Sequence, residues 1–553
     1  MKKICFIKRA FLAVFVLIST FSLASCGKNN TLILRVYNWG DYIDDGYGDD
    51  ESEKGPSVIE DFEKYYEEVT GKKVRIEYST FDTPETMYNK VKSGSAKYDL
   101  LCPSDYMIQK MIREDMLEVF TSNAFDADGN LLQDGSLSNY AKYGSPYFKK
   151  LFKEKGWDKY SVGYMWGTLG IVYNDEKISQ IEGVDVTSWD VMWDSKLKGV
   201  VSTKDSVRDT YFIGVVNEYQ EELKQLRDRY DRNEITKPDY QKELNEIVNR
   251  HDKDTISKVE KRLEALKKNV RGFEVDSAKS DIINGQIYMN LAWSGDAVYS
   301  MQLAEEENVG LSYQIPLEGS NIWFDGWVMP KGANVELAEA FLNYLCRPDI
   351  AVRNMNKIGY TSAIGGEEVK TMIDEWYGLK SLSVTRGIEK LLLNDEETII
   401  SNNYREDLDF EENIDEYEIS VRDEYIYIDD ENTGIKADTL TTEIDLTYFF
   451  NDDATSERVV FNINNDYIGN QFTAQYPTEE EVNRCGIMED FGSATEDVIK
   501  MWLSVKGNEI NWIWITVIVV IIAVFVFVAV YKKVSQKARY RRLKAKKALK
   551  QTR

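Results

Sequence analysis

Histidine is nearly missing from this chain: His251 is the single one. It sits in a densely charged stretch, between Arg250 and Asp252, and reads as a solvated surface residue. Ser–His–Asp, Cys–His and histidine-rich zinc chemistry therefore lack their common ingredient. Cysteine is also scarce, with five in all: Cys5, Cys26, Cys102, Cys346 and Cys485. Their scattered spacing forms neither a disulfide framework nor a CxxC metal site. The last three are expected to be free and buried, with one disulfide as the alternative. The D-x-[DN]-x-[DN]-G spacing of a calcium loop is absent, and no local motif demands the paired carboxylates of a glycosidase. The chain reads as a non-enzyme without a metal or cofactor. A hydrophobic share of 43% supports ordinary globular cores. The 553 residues are enough for two or three domains or one large two-lobed unit.

What the chain does have is concentrated first at its ends. Lys2, Lys3, Lys8 and Arg9 precede an apolar run from Ala10 to about Leu23, followed by Leu23-Ala24-Ser25-Cys26. Residues 1–25 thus read as a secretory signal. The Leu-Ala-Ser-Cys order resembles the bacterial lipoprotein cleavage box, which makes Cys26 the expected lipidation site. Ile510 to Tyr531 carries no charged residue and is long enough to cross a hydrocarbon core of about 30 Å. Trp512 and Trp514 stand at its front and Lys532-Lys533 at its rear. Residues 532–553 carry 11 Lys/Arg and no acid. By the positive-inside rule that tail is cytoplasmic and the large middle faces outward. Removing the charges of both ends changes the formal total of −26 to −41 for the outward portion. Such acidity repels nucleic acid and concentrates cations. It also simply keeps proteins soluble, so on its own it favours a cationic ligand only weakly.

From Leu32 strands and helices alternate. Leu32–Tyr37 reads as a buried strand, Val58–Val69 as a helix, Lys73–Tyr78 as a strand, Glu85–Val91 as a helix and Tyr98–Pro103 as a strand. The expected fold class is α/β with a mostly parallel sheet, in which ligands collect beyond the carboxyl ends of strands. That singles out Asn38–Tyr42 and Ser104–Tyr106. Residues 218–270 are densely charged with apolar residues at helical steps, and Thr236-Lys-Pro-Asp239 is a helix start. A helical hairpin inserted in the second lobe is expected, as a partner-contact arm or a solvated decoration. Residues 394–470 form an acidic insertion, with alternating stretches at Tyr417 and Tyr425 that suggest short strands.

Aromatics and carboxylates cluster where strands are expected to end: Trp39, Asp41 and Tyr42; Ser104 and Tyr106; Asp205 and Asp209; Trp293; Trp323 and Asp325. An alkyl polyammonium needs such a wall. Each ammonium requires a carboxylate to offset its desolvation, and the methylene stem packs on aromatic faces that also attract the charge. Sugar sites use the same side chains, so composition leaves the ligand open. Ferric iron held by tyrosines, another organic cation, or a membrane-tethered sensor remain alternatives.

The ordered runs narrow this. Tyr37-Asn-Trp-Gly-Asp-Tyr42, Glu85-Thr-Met-Tyr88, Tyr98-Asp-Leu-Leu-Cys-Pro-Ser104, Trp166-Gly-Thr-Leu-Gly-Ile171, Val186-Thr-Ser-Trp189, Trp323-Phe-Asp325, Phe341 to Asp349 and Ile358-Gly-Tyr360 occur in this order. Together they resemble the spermidine/putrescine-binding proteins of bacterial ABC importers, over most of residues 31–217 and 271–365. The resemblance implies a two-lobed periplasmic-binding-protein-like fold, with lobe 1 from 31–160 and 325–371 and lobe 2 from 161–324 and 372–506. It implies a polyamine ligand and permease and ATPase partners. Trp39, Asp41, Tyr42, Ser104, Tyr106 and Tyr360 would form the first lobe's wall, and Asp205, Asp209 and Trp293 the second's. Asp325 would grip one amine and Asp205 with Asp209 another, while Trp293 and Trp323 pack the methylenes. The chain departs from the pattern at Met488, where the family commonly has a ligand-bonding glutamine. Both insertions and the C-terminal span also lie outside the pattern.

Overall fold

A computed structural model of the protein describes residues 31–47, 54–381, 418–429, 431–451 and 457–507. The expected signal segment with Cys26, the apolar run 510–531 and the basic tail all lie outside these residues. Among the described residues no helix is long and apolar enough to cross a membrane.

The sheet is built from β1 (Leu32–Trp39), β2 (Val74–Phe81), β3 (Leu100–Leu101), β4 (Ser161–Asn174), β5 (Val201–Lys204), β6 (Gly272–Glu274), β7 (Met289–Trp293), β8 (Leu311–Gln314), β9 (Ser320–Val328) and β10 (Thr361–Ser362), with the short strand Cys485–Gly486 parallel to β9. Its path runs β2-β1-β3-β9-β4-β7-β5-β6. The pairs β1–β2, β1–β3, β5–β6 and β5–β7 are parallel, whereas β9 and β4 run antiparallel to each other and to their neighbours β3 and β7. The sheet is thus mixed rather than mostly parallel, because β4 and β9 carry the chain between lobes in opposite directions.

β4 changes partners along its length. Ser161 to Thr168 pair with β9, and Leu169 to Tyr173 pair with β7, with β8 along the same half. Buried almost throughout, its 14 residues SVGYMWGTLGIVYN read as one apolar run, as a strand covered on both faces should. The crossing therefore falls inside β4 and β9, and residues 161–168 pair within the first lobe's sheet, past the boundary expected at 160. Gly170 permits close packing here, since a Cβ on it would stand 2.4 Å from the Tyr313 ring.

The charged stretch after Glu218 is not a hairpin. Three helices, Gln220–Asp231, Lys237–Val248 and Lys253–Asn269, follow directly on Val207–Glu218. The Thr236/Asp239 capping box starts the second of them as expected. Leu223, Leu226, Leu244, Ile247, Val259, Leu263 and Leu266 are buried in one cluster with Val215, Val498 and Trp502. These helices are the second lobe's core, not an arm.

Within the acidic insertion, strands Ile419–Arg422, Tyr425–Ile428 and Glu431–Lys436 form an antiparallel meander, and Thr441–Asp445 pairs with Val460–Asn464. Phe449 stacks on Trp166 at 5.7 Å, and the Ser145 hydroxyl donates to the Phe449 carbonyl at 2.7 Å. This part of the chain so reaches the first lobe, beyond the second lobe expected for it. Cys102, Cys346 and Cys485 are free and buried.

Gly170→Ala should overpack β4 against Tyr313 and cost about 1–3 kcal/mol. Gly272→Ala, whose Cβ meets nothing within 4 Å, should change stability by less than about 0.5 kcal/mol. Paired urea melts check both.

Candidate ligand-binding cleft

Asp325 lies in the middle of β9, not at a strand end, and is buried. Its backbone pairs with Ser104 just past β3. The Tyr42 hydroxyl donates to Oδ2 at 2.8 Å, while Oδ1 has no hydrogen-bond partner among the described residues. Burial pushes this carboxyl up to about 6, with the nearby Ser104 and Tyr42 hydroxyls working against the rise. Tyr42 is held by its own backbone: its carbonyl accepts from Asn38 Nδ2 at 3.0 Å and from the Tyr164 hydroxyl at 2.9 Å.

Aromatic rings surround the pair. Tyr360 meets Tyr42 edge-on at 5.8 Å and Trp323 at 5.4 Å. Trp39, closing β1, packs on Phe81 at 4.9 Å. The indole N–H groups of Trp39 and Trp323 are buried without acceptors among the described residues.

A second carboxylate joins them that the strand-end pattern passed over. Asp105 opens the helix Asp105–Arg113 and is 1% exposed. Its Oδ1 accepts from the Tyr106 N–H at 2.5 Å, and Oδ2 has no partner among the described residues. Burial pushes it up to about 8; Arg208 pulls it down and the charge of Asp325 adds to the rise. The signal for it was present, since Asp105 sits between two residues already singled out.

The second lobe supplies Trp293, Asp209 and three residues that the pattern missed: Lys204, Arg208 and Asp296. Lys204 Nζ lies 3.0 Å from Asp296 Oδ2 and 4.6 Å from the Trp293 ring centroid. The Tyr360 hydroxyl donates to Asp296 Oδ1 at 3.0 Å, joining the two walls. A Cβ on Gly295 would stand 2.3 Å from the Tyr360 ring, so glycine is required for this approach. Burial alone would raise Asp296, yet Lys204 and Lys279 hold it below the usual carboxylate range. Burial raises Asp209 against hydrogen bonds from Ser206 and Trp293. The Arg208 guanidinium stacks 3.6 Å over the Tyr106 ring and donates to the Glu489 carbonyl at 2.8 Å.

Two expected members stand apart. Asp41 is exposed, with φ +48° in the turn after β1. Asp205 is also exposed, and both its oxygens accept from Lys506 Nζ, at 2.6 and 2.7 Å. Asp205 is therefore already paired with the helix Thr495–Lys506. Met488 belongs to the second lobe's apolar cluster, and its carbonyl accepts from Gln109 Nε2 at 3.2 Å.

A family profile described as bacterial extracellular solute-binding protein matches residues 57–368. The chain belongs to this family. Among similar proteins, the putrescine-binding periplasmic protein PotF of Escherichia coli K12 is 28% identical over 340 residues, covering 60% of this chain and 77% of that one. The spermidine/putrescine-binding periplasmic protein of the same organism is 27% identical over 405 residues, covering 72% and 93%. A solved structure of the spermidine/putrescine ABC transporter substrate-binding protein PotD from Streptococcus pneumoniae is 27% identical, covers 62% of this chain and 87% of that one, and superposes with a TM-score of 0.42. As an extracellular solute-binding protein, the chain carries its main domain outside the cytoplasm.

Asp325 makes the ligand-free solute-binding protein sensitive to pH. Its folded pKa of about 6 lies above its ordinary value, so the folded state keeps a proton that the unfolded state gives up. The contribution is present at low pH and is lost as pH rises from about 4 to 6, a change of about 3 kcal/mol. Asp325→Asn should remove this slope, read as the difference between wild-type and variant urea midpoints across that range.

Proposed function

We propose that the chain captures a polyamine such as spermidine or putrescine between its two lobes and delivers it to an ABC permease and ATPase in the same membrane. The observation that carries this reading is Asp325, a buried carboxylate with one oxygen unpartnered and aromatic rings around it. A buried carboxylate of this kind is stabilised by an ammonium at hydrogen-bond distance. The faces of Trp39, Trp323, Tyr360 and Trp293 suit the methylene stem and attract the charge. Tyr42, Ser104 and Tyr106 then position the first wall, and Asp209 and Trp293 the second. The names of the similar Escherichia coli proteins support the same ligand class.

Capture proceeds by closure about the two crossing strands. The ligand stabilises the closed form only through contacts it makes better there, and contacts with both walls satisfy that condition. In this reading residues 1–25 are the signal, Cys26 carries lipid, residues 510–531 span the membrane and residues 532–553 are cytoplasmic. A single acyl chain holds a protein only marginally, and the helix adds permanence.

Calorimetry on the full chain in detergent, with spermidine and putrescine as titrants, tests the assignment. Asp325→Ala should cost about 2–5 kcal/mol of binding, roughly 30-fold to several thousand-fold. Asp205→Ala should stay within about twofold, because an exposed, already paired carboxylate contributes little. Undiminished polyamine binding by Asp325→Ala sinks the reading.

A further inference from the structure

One end of the cleft already contains an ammonium. The Lys204 side chain, at the end of β5, is 1% exposed. Its Nζ lies 3.0 Å from Asp296 Oδ2, 3.6 Å from Glu274 Oε1 and 4.6 Å from the Trp293 ring centroid, and it donates to the Val275 carbonyl at 2.8 Å. Two carboxylates, a carbonyl and an aromatic face are what an alkylammonium needs to leave water.

We propose that Lys204 is a resident cation that fills an amine subsite of this cleft and thereby selects a diamine over a triamine. The inference rests on the polyamine reading above and sets the charge and length of its ligand.

The distribution of charge carries it further. Asp105, Asp209, Asp296, Asp325 and Glu274 are carboxylates facing the cleft, while Asp490 and Glu85 stand behind Arg208 and Tyr106. Lys204, Arg208 and Lys279 supply cations: Lys204 and Lys279 act on Asp296, Lys204 and Arg208 on Asp209, and Arg208 also reaches Asp105. The carboxylate oxygens of the first wall, Asp325 Oδ1 and Asp105 Oδ2, have no hydrogen-bond partner among the described residues. Asp105, raised to about 8, is largely neutral at pH 7, so Asp209, Asp296, Asp325 and Glu274 against Lys204, Arg208 and Lys279 leave one uncompensated negative charge. That small excess favours a ligand with few ammonium groups over one with three. A third would have to approach Lys204 itself, and like charges at a desolvated site disfavour each other. The Tyr360 hydroxyl on Asp296 and the Tyr360 ring on Tyr42 place the Lys204 cluster and Asp325 on either side of one tyrosine. Lys204 thus holds the side of that tyrosine away from Asp325 against a further ammonium.

The full chain in detergent is titrated calorimetrically with putrescine and with spermidine. Wild type should bind putrescine at least about tenfold tighter, the effect of about 1.4 kcal/mol. Lys204→Met, which keeps the stem and removes the charge, should move the ratio about tenfold or more toward spermidine. Lys204→Arg should keep it within about threefold. An unchanged ratio in Lys204→Met, with putrescine still bound, overturns the role of Lys204 and leaves the polyamine reading standing. Wild type that binds neither amine overturns the polyamine reading, and this inference with it. If Lys204→Met does not fold, the wild-type ratio decides: spermidine bound as tightly as putrescine refutes the inference.

Discussion

Burying the Asp325 carboxylate on a strand shared by both lobes is the constraint on which the cleft depends. Desolvation raises its pKa to about 6, and a single tyrosine hydroxyl answers one of its oxygens. The packing of β9 against β3 and β4 prevents the side chain from relaxing into water. The protein therefore holds an electrostatic debt at the position where a cation would arrive, and Tyr42, Ser104 and the surrounding rings are placed by the same strands. A carboxylate on a surface loop would have no comparable preference, because water would already satisfy it.

The second wall is organised differently. Its carboxylates, Asp296 and Asp209, stand beside Lys204, Lys279 and Arg208, and the chain supplies its own counter-ions there. This asymmetry gives the cleft one hungry end and one nearly neutral end. The three charged helices after Glu218 belong to the same lobe, and their buried leucines pack on Val207–Glu218, the helix that presents Arg208 and Asp209. A rigid core beneath that helix fixes the second wall as β4 and β9 fix the first.

Much of the fold was legible because its periodicities are local. Leu32–Trp39 emerges as a largely buried strand and Val74–Phe81 as a half-exposed edge strand, the helix Val58–Thr70 falls where its apolar spacing put it, and Thr236 with Asp239 caps the helix it announced. The errors came from pairings. Nothing in the residues of β4 says that it leaves one sheet for another, since a strand buried on both faces reads the same in either. The charged exterior of the inserted helices concealed that their apolar stripes face one another.

By itself the sequence determined the scarcity of metal- and nucleophile-bearing residues, an acidic body between two basic ends, and Trp39, Tyr42, Ser104, Trp323, Asp325 and Tyr360 as candidates. These follow from composition and short ordered motifs. Only the tertiary structure decided which carboxylates are available to a ligand. Asp205 and Asp325 look alike as strand-associated acids; one is taken by Lys506, far along the chain, and the other is left half-satisfied in the interior. Asp105, Lys204 and Asp296 became visible for the same reason. A charge is defined by what lies within a few ångströms of it, and those neighbours are set by folding, not by position in the chain.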